Sequence, residues 1–253
     1  MLSTLIVDEF VSDTPGVAIP RAEPQLVVRF GPSARGGVDV HAMGPRERAH
    51  RKLIRAGQRA VVALLRLGAH EAVLGVPASH IAGRVVALDE LWGGAATRQL
   101  EERLARAREP LRAAAVVEAA IAERLAATDA QRAHTGLLLA AADKLESGKV
   151  SAVARELGVS ARNLRRVFRE AVGMSPKAYA RLTRFHRALR TARHAAGLDW
   201  ATIALDCGYY DQAHLISEFR VIAGVTPRTL LRELELGASR AAPFALSGQR
   251  AAR

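Results

Sequence analysis

The chain has 253 residues, 49% of them apolar and 25% charged, which excludes a disordered polymer and leaves length for two globular domains. Lys and Arg outnumber Asp and Glu by 37 to 25, and the surplus is uneven: 17 against 15 in residues 1–130, but 20 against 10 in residues 131–253. Nearly all of the net +12 therefore lies in the second half and points to a polyanion there, nucleic acid before membrane.

From Met1 to about Trp92 the pattern is strand-like. Leu5–Val7, Gln25–Phe30, Val38–Ala42 and Ala60–Leu67 are short β-branched or apolar runs, set apart by the turn clusters Pro15-Gly16, Gly31-Pro32 and Gly36-Gly37. This spacing predicts a small barrel or sandwich, with Ala60–Leu67 reading equally well as a helix. His41, His50, His70 and His80 fall in this part and raise a metal site. No two stand at the spacing of a preformed ligand pair and no Glu completes a set, so neither metal nor cofactor is expected.

After Gly93 the character changes. Ala95–Arg108 and Leu111–Ala127 carry apolar residues at helical spacing (Leu100, Leu104; Val117, Ile121, Leu125), and Pro110 divides them into two helices that either cover the barrel or make a subunit contact. Ala126–Gln131 is a short break and the expected hinge, and Thr135–Glu146 opens the second domain. The tail, Leu236–Arg253, is expected to be disordered. No apolar run approaches the ~20 residues of a membrane span, and no basic segment precedes the N-terminal Leu-Ile-Val run. A single cysteine, Cys207, excludes an internal disulfide, and the expected location is the cytoplasm.

The second domain contains itself twice. Val153-Ala-Arg-Glu-Leu-Gly-Val-Ser160 returns as Ile203-Ala-Leu-Asp-Cys-Gly-Tyr-Tyr210. A slide of 50 matches Ala154 with Ala204 and Gly158 with Gly208, and a slide of 51 matches Leu164, Phe168, Arg169, Gly173 and Pro176 with Leu215, Phe219, Arg220, Gly224 and Pro227. One residue was inserted just after the shared glycine. Each copy reads as a helix-turn-helix, with a first helix (Ser151–Leu157, Trp200–Cys207), a glycine for the turn, and a second helix suited to a major groove. Between them Lys177–His194 predicts a helix of roughly 27 Å, comparable with the ~34 Å between successive groove faces of B-DNA.

On the first second helix, Leu164, Val167, Phe168 and Val172 share a face and leave Arg162, Asn163, Arg165, Arg166 and Arg169 outward. Arg can bond two acceptors of guanine or clamp a phosphate, and Asn suits adenine. In the second copy Gln212, Ala213, Ile216 and Ser217 start the outward face, which is far less basic, with Asp211 and Glu218 nearby to repel phosphates. Arg181, Arg184, Arg187 and Arg228 are further candidates for phosphates. No nucleophile elbow, phosphate loop or paired-carboxylate motif is present, and no catalysis is expected.

With these motifs in view, residues 134–235 resemble the AraC/XylS family of bacterial transcription regulators. The closing signature reads Ile203-Ala-Leu-Asp-Cys-Gly-Tyr-Tyr-Asp-Gln-Ala-His-Leu-Ile-Ser-Glu-Phe-Arg220, followed by Gly224-Val-Thr-Pro227. The resemblance implies seven helices, two helix-turn-helix units on one linker helix, and binding of double-stranded promoter DNA to recruit or block RNA polymerase. It places base-facing sites on Arg162, Arg165 and Arg166 and on Gln212, Ala213, Ile216 and Ser217. Many members carry Arg where Ser217 stands and a small residue where Glu218 stands. The run Leu74-Gly-Val-Pro77 through Leu91-Trp-Gly93 is similar to the family's cupin-like effector domains.

The expectation is thus an α+β chain: a cupin-like barrel (1–93) for a small-molecule effector, a helical connector (94–130) that either covers the barrel or makes a homodimer contact, a double helix-turn-helix (131–235) and a tail (236–253). Its function would be sequence-specific binding of promoter DNA, as an activator. The alternatives are a constitutive dimeric DNA binder without ligand, and a metal-dependent cupin enzyme tethered to DNA.

Overall fold

Alternation in Gln25–Phe30 sends Leu26, Val28 and Phe30 to one face and Val27 and Arg29 to the other. The same parity runs through the neighbouring strands, and it decides what each sheet face meets. The structure, a computed structural model, describes residues 2–10, 12–31, 34–107, 109–126, 132–146, 148–194, 199–238 and 241–246. Its strands are β1 (Leu2–Phe10), β2 (Thr14–Ala18), β3 (Gln25–Phe30), β4 (Val38–Met43), β5 (His50–Ile54), β6 (Arg59–Leu65), β7 (Val85–Ala87) and β8 (Ala241–Leu246). A six-stranded sheet runs β7-β4-β3-β6-β1-β8, and β2 pairs with β5 in a separate ribbon, all antiparallel.

One face of the large sheet, with Leu26, Val28, Val40, Ala42, Val61, Ala63 and Leu65, packs on helices. The helices of this half are α1 (His70–Leu74), α2 (Ala78–Ile81), α3 (Leu88–Trp92), α4 (Gly94–Arg106) and α5 (Pro110–Ala126). Leu100 and Leu104 of α4 and Val117 and Ile121 of α5 lie in the same core, so the apolar stripes of both helices cover the sheet. The opposite face, with Val27, Arg29, His41, Met43, Ala60 and Val62, looks into a cavity closed on its far side by the β2–β5 ribbon.

Several expectations are revised. Of Ala60–Leu67, the residues up to Leu65 are strand and not helix, because β6 lies between β1 and β3 and its alternate residues serve both faces. Pro15-Gly16 is no turn: it lies inside β2, whose partner is β5 alone, and a prolyl residue without N–H is tolerated at such an edge. The part read as strand-like also holds the short helices α1, α2 and α3. In the tail, Ala241–Leu246 forms strand β8, paired with β1 from Phe10↔Ala241 to Leu5↔Leu246. Of the expected hinge, residues 127–131 lie outside the described residues.

The second half has seven helices among the described residues: α6 (Arg132–Lys144), α7 (Val150–Glu156), α8 (Ala161–Val172), α9 (Pro176–His194), α10 (Trp200–Asp206), α11 (Gln212–Ala223) and α12 (Pro227–Ala238). Phe185 of α9 is fully buried between the two units, its ring centroid 4.6 Å from that of Phe219, while Phe168 meets Tyr179 edge-on at 5.5 Å. Each buried aromatic ring contributes about 1.5–3 kcal/mol relative to exposure.

The halves are in contact. The Ala49 amide donates to the Ile222 carbonyl at 2.8 Å, and Arg51 Nη1 donates to the Ala223 carbonyl at 2.9 Å while Nη2 reaches Glu233 at 2.8 Å. His186 Nε2 lies 2.7 Å from the Pro20 carbonyl oxygen. Gly173, at φ +71°, ends α8 against α2, where a Cβ would sit 2.9 Å from the Ala78 oxygen.

Candidate nucleic-acid interface

The sequence repeat is a structural repeat. Gly158 and Gly208 adopt φ of +67° and +77°, which L side chains rarely take, and this lets each chain turn from its first helix into its second. Around them the backbone bonds match: the amides of Val159 and Tyr209 donate to the carbonyls of Ala154 and Ala204, each at 2.9 Å. Both second helices are then capped alike. Ser160 Oγ accepts from the Asn163 amide at 3.1 Å, and Asp211 Oδ1 accepts from the His214 amide at 2.7 Å. Gly173 and Gly224 close them in the left-handed region.

On α8 Asn163, expected on the outward face, is half-buried. Leu164, Val167, Phe168 and Val172 are buried, while Arg162, Arg165, Arg166 and Arg169 are exposed and lie within about 100° of arc at 100° per residue. Arg166 is already engaged, donating to Glu170 at 2.9 Å and to the Asn163 side chain at 3.0 Å, so Asn163 and Arg166 form one locally fixed pair. Arg162 and Arg165 have no ion-pair partner among the described residues and present open guanidinium forks.

On α11 Leu215, Phe219 and Ile222 are buried; Gln212, Ala213 and Ser217 are exposed and Ile216 is half-buried. Glu218 differs from expectation. Its side chain is 18% exposed and turns inward, 3.7 Å from Arg181, so it is not poised to repel phosphates. Three arginines expected at phosphates are likewise committed elsewhere. Arg181 lies between Glu47 and Glu218, Arg187 donates to the Cys207 carbonyl at 2.7 Å, and Arg184 lies over the Tyr209 ring at 5.7 Å. Arg228 is exposed. The exposed Arg220, equivalent to Arg169 by the 51-residue slide, was missed as a candidate, and the repeat itself carried that signal.

The cavity between the large sheet and the β2–β5 ribbon has a volume of about 380 Å³. Strands bring to it Arg29, Lys52 and Arg59 and loops bring Arg21 and Arg46, with Glu233 the one carboxylate among the described lining residues; Val17, Ile19, Val27, Ile54, Val62 and Leu234 make the apolar wall. Glu233, Leu234 and Gly237 belong to α12, so the DNA-binding half supplies part of the wall. His41 Nδ1 and Arg46 Nε are buried without a hydrogen-bond partner. Burial, reinforced by Arg29, pushes the His41 imidazole down to about 4, so it is neutral at neutral pH. His70 is buried in the first half, and His50 and His80 are exposed, so the four imidazoles do not converge.

Residues 153–233 match the model of a family described as "Helix-turn-helix domain". No curated protein is matched by the chain. Among solved structures it is similar to a transcriptional regulator with an AraC-type DNA-binding domain from Chromobacterium violaceum, at 25% identity over 46% of this chain and 96% of that one, with a TM-score of 0.34. A DNA-binding transcriptional dual regulator from Escherichia coli K-12 matches at 23% identity over 45% and 98%, with a TM-score of 0.34. ToxT from Vibrio cholerae matches at 10% identity over 91% and 96%, with a TM-score of 0.44. No helix among the described residues is long and apolar enough to cross a membrane. The doubled turn, the closing signature and the family model agree that residues 153–233 form a double helix-turn-helix of the AraC type, and the protein is a DNA-binding transcription regulator.

Proposed function

We propose that the protein is a sequence-specific activator in the cytoplasm that lays α8 and α11 into adjacent major grooves of promoter DNA and responds to a small organic anion. The observation that carries the DNA part is the stripe of Arg162, Arg165, Arg166 and Arg169 on a helix capped and turned as a reading helix. The 19 residues of α9 give a linker of about 28 Å, close to one turn of the duplex. Contact with RNA polymerase and assembly as a homodimer are what the family resemblance implies. Selection of bound fragments from a genomic pool, followed by a promoter fusion, tests this reading; enrichment of no sequence over random DNA defeats it.

The cavity supports the effector part: its lining is predominantly basic, with Arg29 already paired to Asp39, and this basic lining beside an apolar wall suits an anionic head on an apolar body, held by groups such as Arg46. Because α12 forms part of the wall, occupancy bears directly on how the DNA-binding half is held. A panel of carboxylates, each paired with the alcohol of the same skeleton, separates this from the constitutive reading. A carboxylate that raises the melting temperature of the wild type but not of Arg46→Met supports the site, and stabilisation by none leaves the DNA binder without an effector.

A further inference from the structure

The helix bounds of the two units correspond residue by residue, at an offset of 50 for the first helices and 51 for the second. Up to Val159 and Tyr209 the turns share their backbone bonds, and from Ser160 and Asp211 onward the second helices share their caps. Tyr210 is the residue left over. Whereas Tyr209 takes the buried position, with its ring edge-on to His214 at 5.5 Å, Tyr210 is 86% exposed. Its position is nonetheless fixed, since its amide donates to His214 Nδ1 at 3.3 Å, one turn into α11.

We propose that Tyr210 donates its hydroxyl to a phosphate of the DNA backbone, and that this contact anchors the second unit in place of the cations missing from the first two turns of its reading helix, Arg220 lying further along it. The N-terminal turn of a reading helix enters the groove, so the residue before its cap stands beside the groove wall, where the phosphates are. No Lys or Arg occurs from Gln212 to Phe219. The nearest cations behind the turn are engaged inward, Arg187 on the Cys207 carbonyl and Arg184 over the Tyr209 ring. Asp206 and Asp211 flank the turn, and a cation here would be drawn to them, whereas a neutral phenol keeps its hydroxyl for an acceptor on the DNA. A tyrosine also loses little conformational freedom when it binds, having only two soft side-chain torsions.

The test compares the full-length wild type with Tyr210→Phe and Tyr210→Ala on a selected genomic fragment and on a random duplex, across a salt series, with ethylation interference on the selected fragment. Tyr210→Phe should weaken binding about 3- to 10-fold on both duplexes. The slope of log K against log salt should stay as it is, because a neutral donor displaces no counterion. One phosphate under the second unit, whose ethylation blocks the wild type, should cease to matter for Tyr210→Phe. Tyr210→Ala should lose at least as much, with an unchanged melting temperature confirming that the fold is intact. The proposal is overturned if Tyr210→Phe binds like the wild type, if its loss is confined to the selected fragment, or if the set of interfering phosphates is unchanged.

Discussion

Arg181 on α9 holds Glu218 on α11 at 3.7 Å and reaches Glu47 of the first half at 3.4 Å. Glu218 thereby changes role, from an anion facing DNA to one side of a half-buried ion pair that ties the linker helix to the second reading helix. Glu218→Gln should cost about 1–2 kcal/mol of stability, since it leaves Arg181 half-compensated. It should not tighten DNA binding. Denaturant unfolding and DNA titration of the same variant check both halves of this statement, and an affinity gain of several fold at unchanged stability would put the carboxylate on the DNA side.

The same geometry sorts the arginines by the experiment that should detect them. Arg184 and Arg187 have buried Nε atoms and inward contacts, so their replacement by Ala should lower the melting temperature and leave the salt dependence of DNA binding nearly intact. Arg162, Arg165 and Arg169 are exposed, and removing any one that lies on a phosphate should reduce the salt slope by about 1. Binding isotherms from low to moderate salt for the five variants distinguish the two groups; a reduced slope for Arg187→Ala at full stability would contradict the assignment.

Six of the seven helices and both turns were legible in the sequence because their signals are local, whereas α12 came only as part of the family resemblance. A glycine at positive φ, a capping Ser or Asp three residues before its amide partner, and apolar residues three and four apart all lie within one stretch of chain. The reading missed what depends on distant partners. β5, His50-Arg-Lys-Leu-Ile54, has almost no apolar pattern because its side chains meet the cavity cations, α12 and solvent rather than a core. β8 contains Pro243 and small residues, and it is a strand because β1 offers an open edge. Glu218 and Arg181 carry opposite charges 37 positions apart, and only the packing of α9 on α11 makes them a pair. The cavity was invisible for the same reason: its cations come from separate strands and loops and from no single motif.

His70 gives a pH dependence that is independent of DNA. It is 1% exposed, neither ring nitrogen has a partner, and burial holds its imidazole down to about 4 from an ordinary 6.5. The unfolded chain therefore binds the proton first as pH falls. Stability is full above about 6.5 and is lost as pH drops toward 4, by roughly 2 kcal/mol at pH 5 from this group. His70→Leu removes the titrating group, so its melting temperature should fall less between pH 7 and pH 5 than that of the wild type, whatever its absolute value. Equal falls in the two proteins would mean that the imidazole is not held neutral in the fold.

Arg51 joins the halves at the end of the second reading helix, bonding the Ala223 carbonyl and Glu233 together. Arg51→Ala should loosen that junction more than it loosens either core. Hydrogen exchange then has a specific reporter, the Ala49 amide, which donates to the Ile222 carbonyl across the junction. Its exchange should quicken in Arg51→Ala while amides of β3 and β6 keep theirs, and uniform quickening across the chain would mark general destabilisation instead.

The two units should share the work unequally. The first offers two open arginines, Arg162 and Arg165, and a third, Arg166, held by Asn163 and Glu170; the second offers Gln212, Ala213, Ile216 and Ser217, with Arg220 further along the helix. Phosphate attraction carries much of the affinity, and bidentate arginine contacts carry much of the discrimination between bases. Arg165→Ala should therefore cost about 1–3 kcal/mol on a selected site and relax the preference at one base pair. Gln212→Ala and Ser217→Ala should each cost less. The second unit still contributes, because α9 holds it about one groove away and gives it a high effective concentration once the first unit is bound. Quantitative binding of each variant to a library of single-base changes measures this directly. Sharper base preference should lie under the first unit, and sharper preference under the second, with Arg165→Ala nearly silent, would reverse the assignment.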